Sequence, residues 1–353
     1  MVYTCFSLLA LLLTIVICYK YNYYRTLPIK KNGKILQKSI ALMEKVSLNN
    51  CEQQILIRSL DTDNDILLFV HGGPGSPDMA SIRYYNNSLE NQFTVVTWDQ
   101  RGCGKSISKS IDYTSFSIEL FLSDLLQLVN YLRDTYKKDR ILLAGHSWGS
   151  ILGFRFAEKY PHLLKAYIGI GQVANMEEGE LFSYHIAKDG VAKSKNAKIK
   201  GQMNKINAPV NGIYPMEKDL DQQRDVLLKS GLLLKNNTSY KPMIDAYMKS
   251  TEFCFKDMVR LQTASKKSIQ ALWKEVSQIN FIKENQQKID VPVFFVTGED
   301  DCVTPVSLSK IFFERINSSC KEYFIIENSS HFPFVDNPVA FQSTLLKIKG
   351  IIA

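Results

Sequence analysis

The stretch "LLAGHSWGS", residues 142–150, sets a serine between two glycines immediately after an apolar run. Upstream, "RILLA" reads as a buried strand. Downstream, "SILGFRFAEKY" brings Ile151, Phe154, Phe156 and Ala157 to one side at helical spacing. Ser147 therefore stands where a strand turns into a helix. A turn this sharp strains the backbone at its apex and requires small residues two positions away on either side, as Gly145 and Gly149 are. A glycine-rich turn without chemistry carries the same letters, so the strand-turn-helix context is what marks a nucleophile elbow.

Outward from that turn, strand and helix alternate. "CEQQILIR" and "DILLFV" read as strands around the turn "SLDTDN", and "FTVVTWD" is the next strand, followed by the loop "QRGCGKS". The segment "SFSIELFLSDLLQLVNYLRDTY" has apolar residues at three- and four-residue intervals and predicts an amphipathic helix. The strand "KAYIGIG" follows the elbow helix. From about 172 to 287 the chain is then lysine- and glutamine-rich, helical in pattern, and without a buried strand. Alternation resumes with "VPVFFVTG", a helix over 305–315, the strand "EYFIIE" and a last helix over 338–349. The stretch 34–46 is expected to be a helical connector.

This layout predicts an α/β fold, a mostly parallel sheet with helices on both faces and an inserted helical cap. The expected divisions are an anchor at 1–20, a connector at 21–50, a core formed by 51–171 and 288–353, and a cap at 172–287. Seven cysteines form an odd set without a C-x-x-C pair, so neither a disulfide framework nor a zinc site is expected, and a reducing compartment fits. No metal or cofactor is implied. The formal charge of +8 is spread over scattered lysines with no nucleic-acid motif, so nucleic acid is not an expected partner.

Residues 2–19, "VYTCFSLLALLLTIVICY", carry no charge. At about 1.5 Å per residue this run nearly matches a hydrocarbon core of roughly 30 Å. It lacks the basic start and small-residue cleavage site of a signal peptide, so an uncleaved single-pass transmembrane helix in contact with membrane lipid is expected. Tyr19, Tyr21, Tyr23 and Tyr24 resemble an interfacial belt. Lys20, Arg25, Lys30, Lys31 and Lys34 place positive charge on the C-terminal side, which directs the body to the cytoplasm.

In open α/β sheets, reactive groups gather on loops at the carboxyl ends of strands. The first such loop is "HGGPG", whose glycines let backbone N–H groups approach a developing oxyanion; the N–H of Gly72 or Gly73, with that of Trp148, are the expected donors. The second, "GEDDCVTP", offers Asp300 and Asp301 as the acid that orients a catalytic histidine. The third, "ENSSHFPF", offers His331. Serine, aspartate and histidine follow one another in the order this architecture requires.

Together "HGGPG", "WDQRGCGKS", "GHSWGS", "GEDDCVTP" and "HFP" resemble the α/β-hydrolase superfamily, and more closely its proline iminopeptidase (prolyl aminopeptidase) group, over about residues 53–347. The resemblance implies Ser147 as nucleophile, Asp301 as acid, His331 as base, and a serine hydrolase working through an acyl-enzyme on short peptides. Two departures stand out: His146 replaces a glycine common in iminopeptidases, and the N-terminal apolar run is foreign to the usual soluble enzyme. An aminopeptidase needs cap carboxylates for the substrate ammonium. Glu177, Glu178, Glu180 and Glu252 are the candidates. A carboxylesterase or lipase-type hydrolase of small-molecule esters is the alternative. A non-catalytic binding protein of the same fold is a second, although it would ordinarily have lost a triad residue. The loop "WDQRGCGKS" is expected to form a floor under the oxyanion loop, with Asp99 and Arg101 bonded internally. The lysine-rich stretch 188–205 is read as a solvated helix face in preference to a contact with anionic lipid.

Overall fold

The computed structural model describes residues 24–193, 196–284 and 288–353. Strands β3 (Ile40–Leu48), β4 (Cys51–Ser59), β5 (Asp65–Val70), β6 (Phe93–Asp99), β7 (Ile141–His146), β8 (Leu164–Ile170), β9 (Val293–Gly298) and β10 (Lys321–Ile326) form one sheet in the order β10-β9-β8-β7-β5-β6-β4-β3. A small antiparallel pair, β1 (Lys30–Lys31) and β2 (Lys34–Ile35), precedes it. Within the eight-stranded sheet β4 is antiparallel to both its neighbours, and the other pairings are parallel.

The central parallel strands are mostly apolar because both sheet faces are covered. In β5, Ile66, Leu68 and Val70 join the core on one face, while Leu67 and Phe69 join the core on the other. Helix α1 (Met79–Tyr85) follows β5. The first face packs against α2 (Ile118–Tyr136) and α3 (Trp148–Lys159), through Phe121, Leu125, Ile151 and Phe154. Between β8 and β9 the described residues hold α4 (Met176–Lys193), α5 (Ala197–Met203), α6 (Glu217–Lys229), α7 (Lys241–Lys249) and α8 (Phe255–Val276). After β9 come α9 (Val306–Arg315), the short α10 (Pro333–Asp336) and α11 (Pro338–Ile351), whose Phe341, Leu345 and Ile348 cover the second face. β5 lies between β6 and β7, so the chain leaves it at a topological switch point, where a crevice opens at the strand ends.

The expected helical connector is corrected. Residues 34–46 contribute β2 and most of β3, and β3 pairs with β4 from Ile40↔Ser59 to Leu48↔Cys51. The reason is turn chemistry. Asn49 and Asn50 both take positive φ, 46° and 58°, which gives the two-residue hairpin loop whose twist suits antiparallel strands. Asn32 and Gly33 do the same between β1 and β2, with φ of 52° and 77°. The spacing of Ile40, Met43 and Val46 imitates a helix, yet the hairpin residues decide the outcome. The expected transmembrane helix lies outside the described residues, and among those described no helix is long and apolar enough to cross a membrane.

The first described residues are tied down. Arg25 N–H donates to the Thr251 carbonyl, Thr26 Oγ1 bonds Glu252 at 3.0 Å, and Arg58 donates to the Leu27 carbonyl.

Candidate active site

At the end of β7, Ser147 takes φ 51° and ψ −116°, a conformation that L-residues rarely adopt. The glycines around it are obligatory. A Cβ on Gly145 would sit 2.3 Å from the Gly149 carbonyl oxygen, and one on Gly149 would sit 2.1 Å from that of Val70. The strand, the elbow and the adjoining strand are thus in direct backbone contact, and the serine hydroxyl is held at the start of α3.

His331, on the loop after β10, places Nε2 3.0 Å from Ser147 Oγ. Its Nδ1 lies 3.0 and 3.1 Å from the two carboxylate oxygens of Asp301. Asp301 is buried and also accepts the N–H groups of Val303 and Thr304 at 2.9 Å and the Thr304 hydroxyl at 2.6 Å. Burial alone would raise its pKa, but the charge and hydrogen bond of His331 and the Thr304 donors outweigh it and hold the carboxyl below its ordinary value. Asp300, the other chemical candidate, is exposed and pairs with Lys235. The structure therefore assembles Ser147, His331 and Asp301 and leaves Asp300 outside.

The "HGGPG" loop after β5, expected to face an oxyanion, is fixed by His71, Asp78 and Gln100. His71 Nδ1 lies 2.7 Å from the Gly72 carbonyl, and its Nε2 accepts the Gln100 N–H at 3.1 Å. Burial lowers the His71 pKa to about 4, so the ring is neutral and Nδ1 donates. Fixing the Gly72 carbonyl turns the Gly73 N–H to the opposite side of that trans peptide. The Gly72 N–H, by contrast, is already directed at Asp78 Oδ2, 3.2 Å away. Of the two expected donors, Gly72 is thus committed elsewhere. Trp148, as the first residue of α3, has an amide with no intrahelical acceptor.

Gln100 is the centre of the expected floor. Its side chain donates to the His71 carbonyl and accepts Trp148 Nε1–H, both at 3.0 Å, so it joins the oxyanion loop to the elbow. Asp99 accepts the Lys105 N–H at 2.7 Å, and burial raises its carboxyl to about 7. Arg101 grips Asp124 with two N–H groups at 2.8 and 2.9 Å. Below the elbow, His146 Nδ1 lies 2.8 Å from Asp78 Oδ2 and Nε2 lies 3.0 Å from the His331 carbonyl oxygen.

A cavity of about 210 Å³ surrounds Ser147. Its wall is largely apolar, including Trp148, Ile151, Val173, Leu233, Val276 and Phe332. Of the four glutamates, only Glu180 lines it, beside Asp221 and Arg224. Glu180 is 2% exposed; one carboxylate oxygen pairs with Arg224, and the other is buried without a partner among the described residues. Glu177 and Glu178 are exposed on the first turn of α4. Glu252 is placed elsewhere: it is buried under Arg83 Nε at 3.0 Å and Arg58 Nη1 at 3.7 Å, a role that consumes its charge. Helical spacing separates them, because Glu180 shares its face with buried Ser183, Ala187 and Val191. In the lysine-rich stretch, Lys188, Lys198, Lys200 and Lys205 are exposed. Asp78 and Arg224 have no local sequence signature, since their partners are distant in the chain, whereas Gln100 lies in the "WDQRGCGKS" motif without its role being legible there.

Among the described residues no cluster of His, Cys, Asp and Glu could hold a metal ion. The arrangement brings a serine hydroxyl, an imidazole, an ionised carboxylate and backbone N–H groups together, the kinds of group that acyl transfer requires.

Residues 64–338 match the family described as serine aminopeptidase, S33. The protein named Probable aminopeptidase YbaC from Bacillus subtilis (strain 168) is 33% identical over 313 residues, covering 88% of this chain and 96% of its own. Proline iminopeptidase from Mycobacterium smegmatis superposes with a TM-score of 0.63 at 16% identity, over 88% of this chain and 98% of that one. A membrane phospholipase A described as a bacterial virulence factor reaches 0.60 at 16% identity, over 88% and 86%. At such identities the two structures speak to the fold alone.

Proposed function

This chain belongs to the S33 serine aminopeptidase family, within the proline iminopeptidase-like α/β-hydrolases, and on that premise we propose that this hydrolase removes an N-terminal residue, proline foremost, from short peptides. In this reading His331 Nε2 takes the Ser147 proton as Oγ attacks the scissile carbonyl, and the oxyanion is received by the N–H groups of Gly73 and Trp148. The C–N bond then breaks, the leaving amine takes the proton from His331, and the acyl-enzyme remains. Water, deprotonated by His331, attacks the ester and releases the free residue, returning the proton to Ser147. Asp301 keeps the His331 Nδ1–H in place and stabilises the imidazolium.

The observation that carries the reading is Glu180. A buried carboxylate oxygen without a partner, on the wall of the serine cavity, suits a substrate ammonium and serves no purpose for an uncharged acyl group. The experiment compares proline naphthylamide, its N-acetylated form and p-nitrophenyl butyrate. Cleavage of the free amine with loss of activity on acetylation is expected. Indifference to acetylation, or turnover of the ester alone, would overturn the aminopeptidase reading. An ester hydrolase is the second reading, favoured by the apolar remainder of the cavity wall. The proposal includes attachment of the chain to a membrane through residues 2–19, with the body on the cytoplasmic side, a reading supported by the uncharged run and the lysines and arginine that follow it.

A further inference from the structure

The serine cavity is small. At about 210 Å³ it falls below the roughly 300–1,000 Å³ of pockets that enclose a whole ligand, so it holds one residue and not a peptide. Against it opens a second concavity of about 930 Å³. Leu220, Asp221, Ile269 and Trp273 line both, so the two adjoin across these side chains. For a chain whose first residue occupies the inner cavity, the way past these four side chains leads to the larger concavity.

The outer groove has its own chemistry. Ile213 and Met216 stand on its wall 42% and 44% exposed, an uncovered apolar surface where the α5–α6 connection passes. Lys218 and Lys266 are exposed on the same wall. Tyr214, also on the wall, is buried and turns toward Arg224 and Glu180 of the inner cavity.

We propose that this groove binds the part of a peptide substrate that follows the scissile bond, selecting apolar residues next to that bond and a carboxylate beyond them. The apolar wall takes the side chains, and the two lysines meet the acidic end. This deepens the aminopeptidase reading and rests on it. The enzyme then acts on peptides of several residues, and the inner cavity decides only which residue is removed.

The test uses prolyl-p-nitroanilide, which fills the inner cavity alone, the peptide Pro-Leu-Phe-Asp, and the amidated peptide Pro-Leu-Phe-Lys. The wild type is expected to cleave the acidic peptide with a kcat/KM about tenfold above that of the basic one. The double variant Lys218→Glu with Lys266→Glu is expected to abolish or reverse that preference, and Ile213→Asp to raise KM for both peptides. In each variant the anilide is turned over within about twofold of wild type, because the changed residues line only the outer groove. Equal kcat/KM for both peptides in the wild type, or equal losses on all three substrates in the variants, would overturn the groove assignment. So would liposome binding that Ile213→Asp abolishes while peptide kinetics stay unchanged, since the wall would then belong to a lipid surface. Failure of the wild type to cleave any of the three free-amine substrates is a different result, and it would remove the aminopeptidase reading together with this one.

Discussion

His146 Nδ1 and Asp78 Oδ2 lie 2.8 Å apart in the interior, joining the elbow to the segment that follows the oxyanion loop. With the His331 carbonyl 3.0 Å from Nε2, both ring nitrogens face acceptors, which suits the doubly protonated imidazolium. Burial opposes that charge, but Asp78 and the His331 carbonyl overcome it, and the His146 pKa is raised above 6.5. Asp78 is likewise held below 3.8, burial being outweighed by His146. The nearby ionisable groups are His71 on the same side as Asp78, and Asp301 with His331 on the other.

The stabilisation from His146 is fully present below its ordinary value and is lost as pH rises through the raised folded-state pKa. That from Asp78 is present above its ordinary value and is lost as pH falls through the lowered one. The pair thus contributes most between about pH 4 and 6.5. Asp78→Asn leaves a buried imidazolium uncompensated and is expected to cost about 3–5 kcal/mol at pH 6. Urea unfolding of both proteins checks it: the difference between them shrinks at alkaline pH, and a gap independent of pH would exclude the ion pair as its source.

Exchange of Asp301 for Asn is expected to lower kcat by about 10⁴, because the His331 tautomer is no longer held. Asp300→Asn, which loses only an exposed pairing with Lys235, is expected to leave kcat within about twofold. A fluorophosphonate probe should label the wild type and spare Ser147→Ala. Equal labelling of the two would remove Ser147 from the chemistry.

Glu180→Gln keeps the size of the side chain and a hydrogen bond to Arg224 while removing the charge offered to a substrate ammonium. The ratio of kcat/KM for free-amine over acetylated substrate is expected to fall by about 10- to 100-fold, in line with a hydrogen bond to a charged group. Glu177→Gln and Glu178→Gln, both exposed, serve as controls and should leave the ratio unchanged. A Glu180→Gln enzyme with an undiminished ratio would place amine recognition on another residue, Asp221 first.

Membrane attachment is checked by fractionation. The full-length protein is expected to stay with membranes through a carbonate wash, and a protein lacking residues 2–19 to be released. A mature N-terminus near Tyr21 would contradict the anchor. Protease treatment of inside-out and right-side-out vesicles reports the side on which the body lies.

Much of this architecture is readable in the chain because parallel strands buried on both faces leave unbroken apolar runs, such as "DILLFV" and "ILLAGH". The elbow is readable because two glycines are sterically compulsory. The order of Ser147, Asp301 and His331 is readable because each closes a strand. The β3–β4 hairpin is masked by the helical spacing of Ile40, Met43 and Val46, although the Asn-Gly of "KKNGKI" just upstream is a strong turn signal for the β1–β2 pair. The partnership of Asp78 with His146 spans 68 positions and has no local pattern, so only tertiary structure brings it out. Glu252 looked like a site residue for want of the arginines that claim it.

Those arginines have a mechanical consequence. Arg58 and Arg83 from the sheet side hold Glu252, and Lys105 holds Asp257, so the segment leading into α8 is bolted to the core by buried charges. Removing one partner of such a pair costs about 3–5 kcal/mol, whereas the middle of the insertion, around Ile213 and Met216, presents uncovered side chains. Opening of the roof over Ser147 is therefore expected to begin around Ile213 and Met216 and to spare the segment held at Glu252. Amide hydrogen exchange should show it as a gradient, slow near Phe253 and fast near Val210.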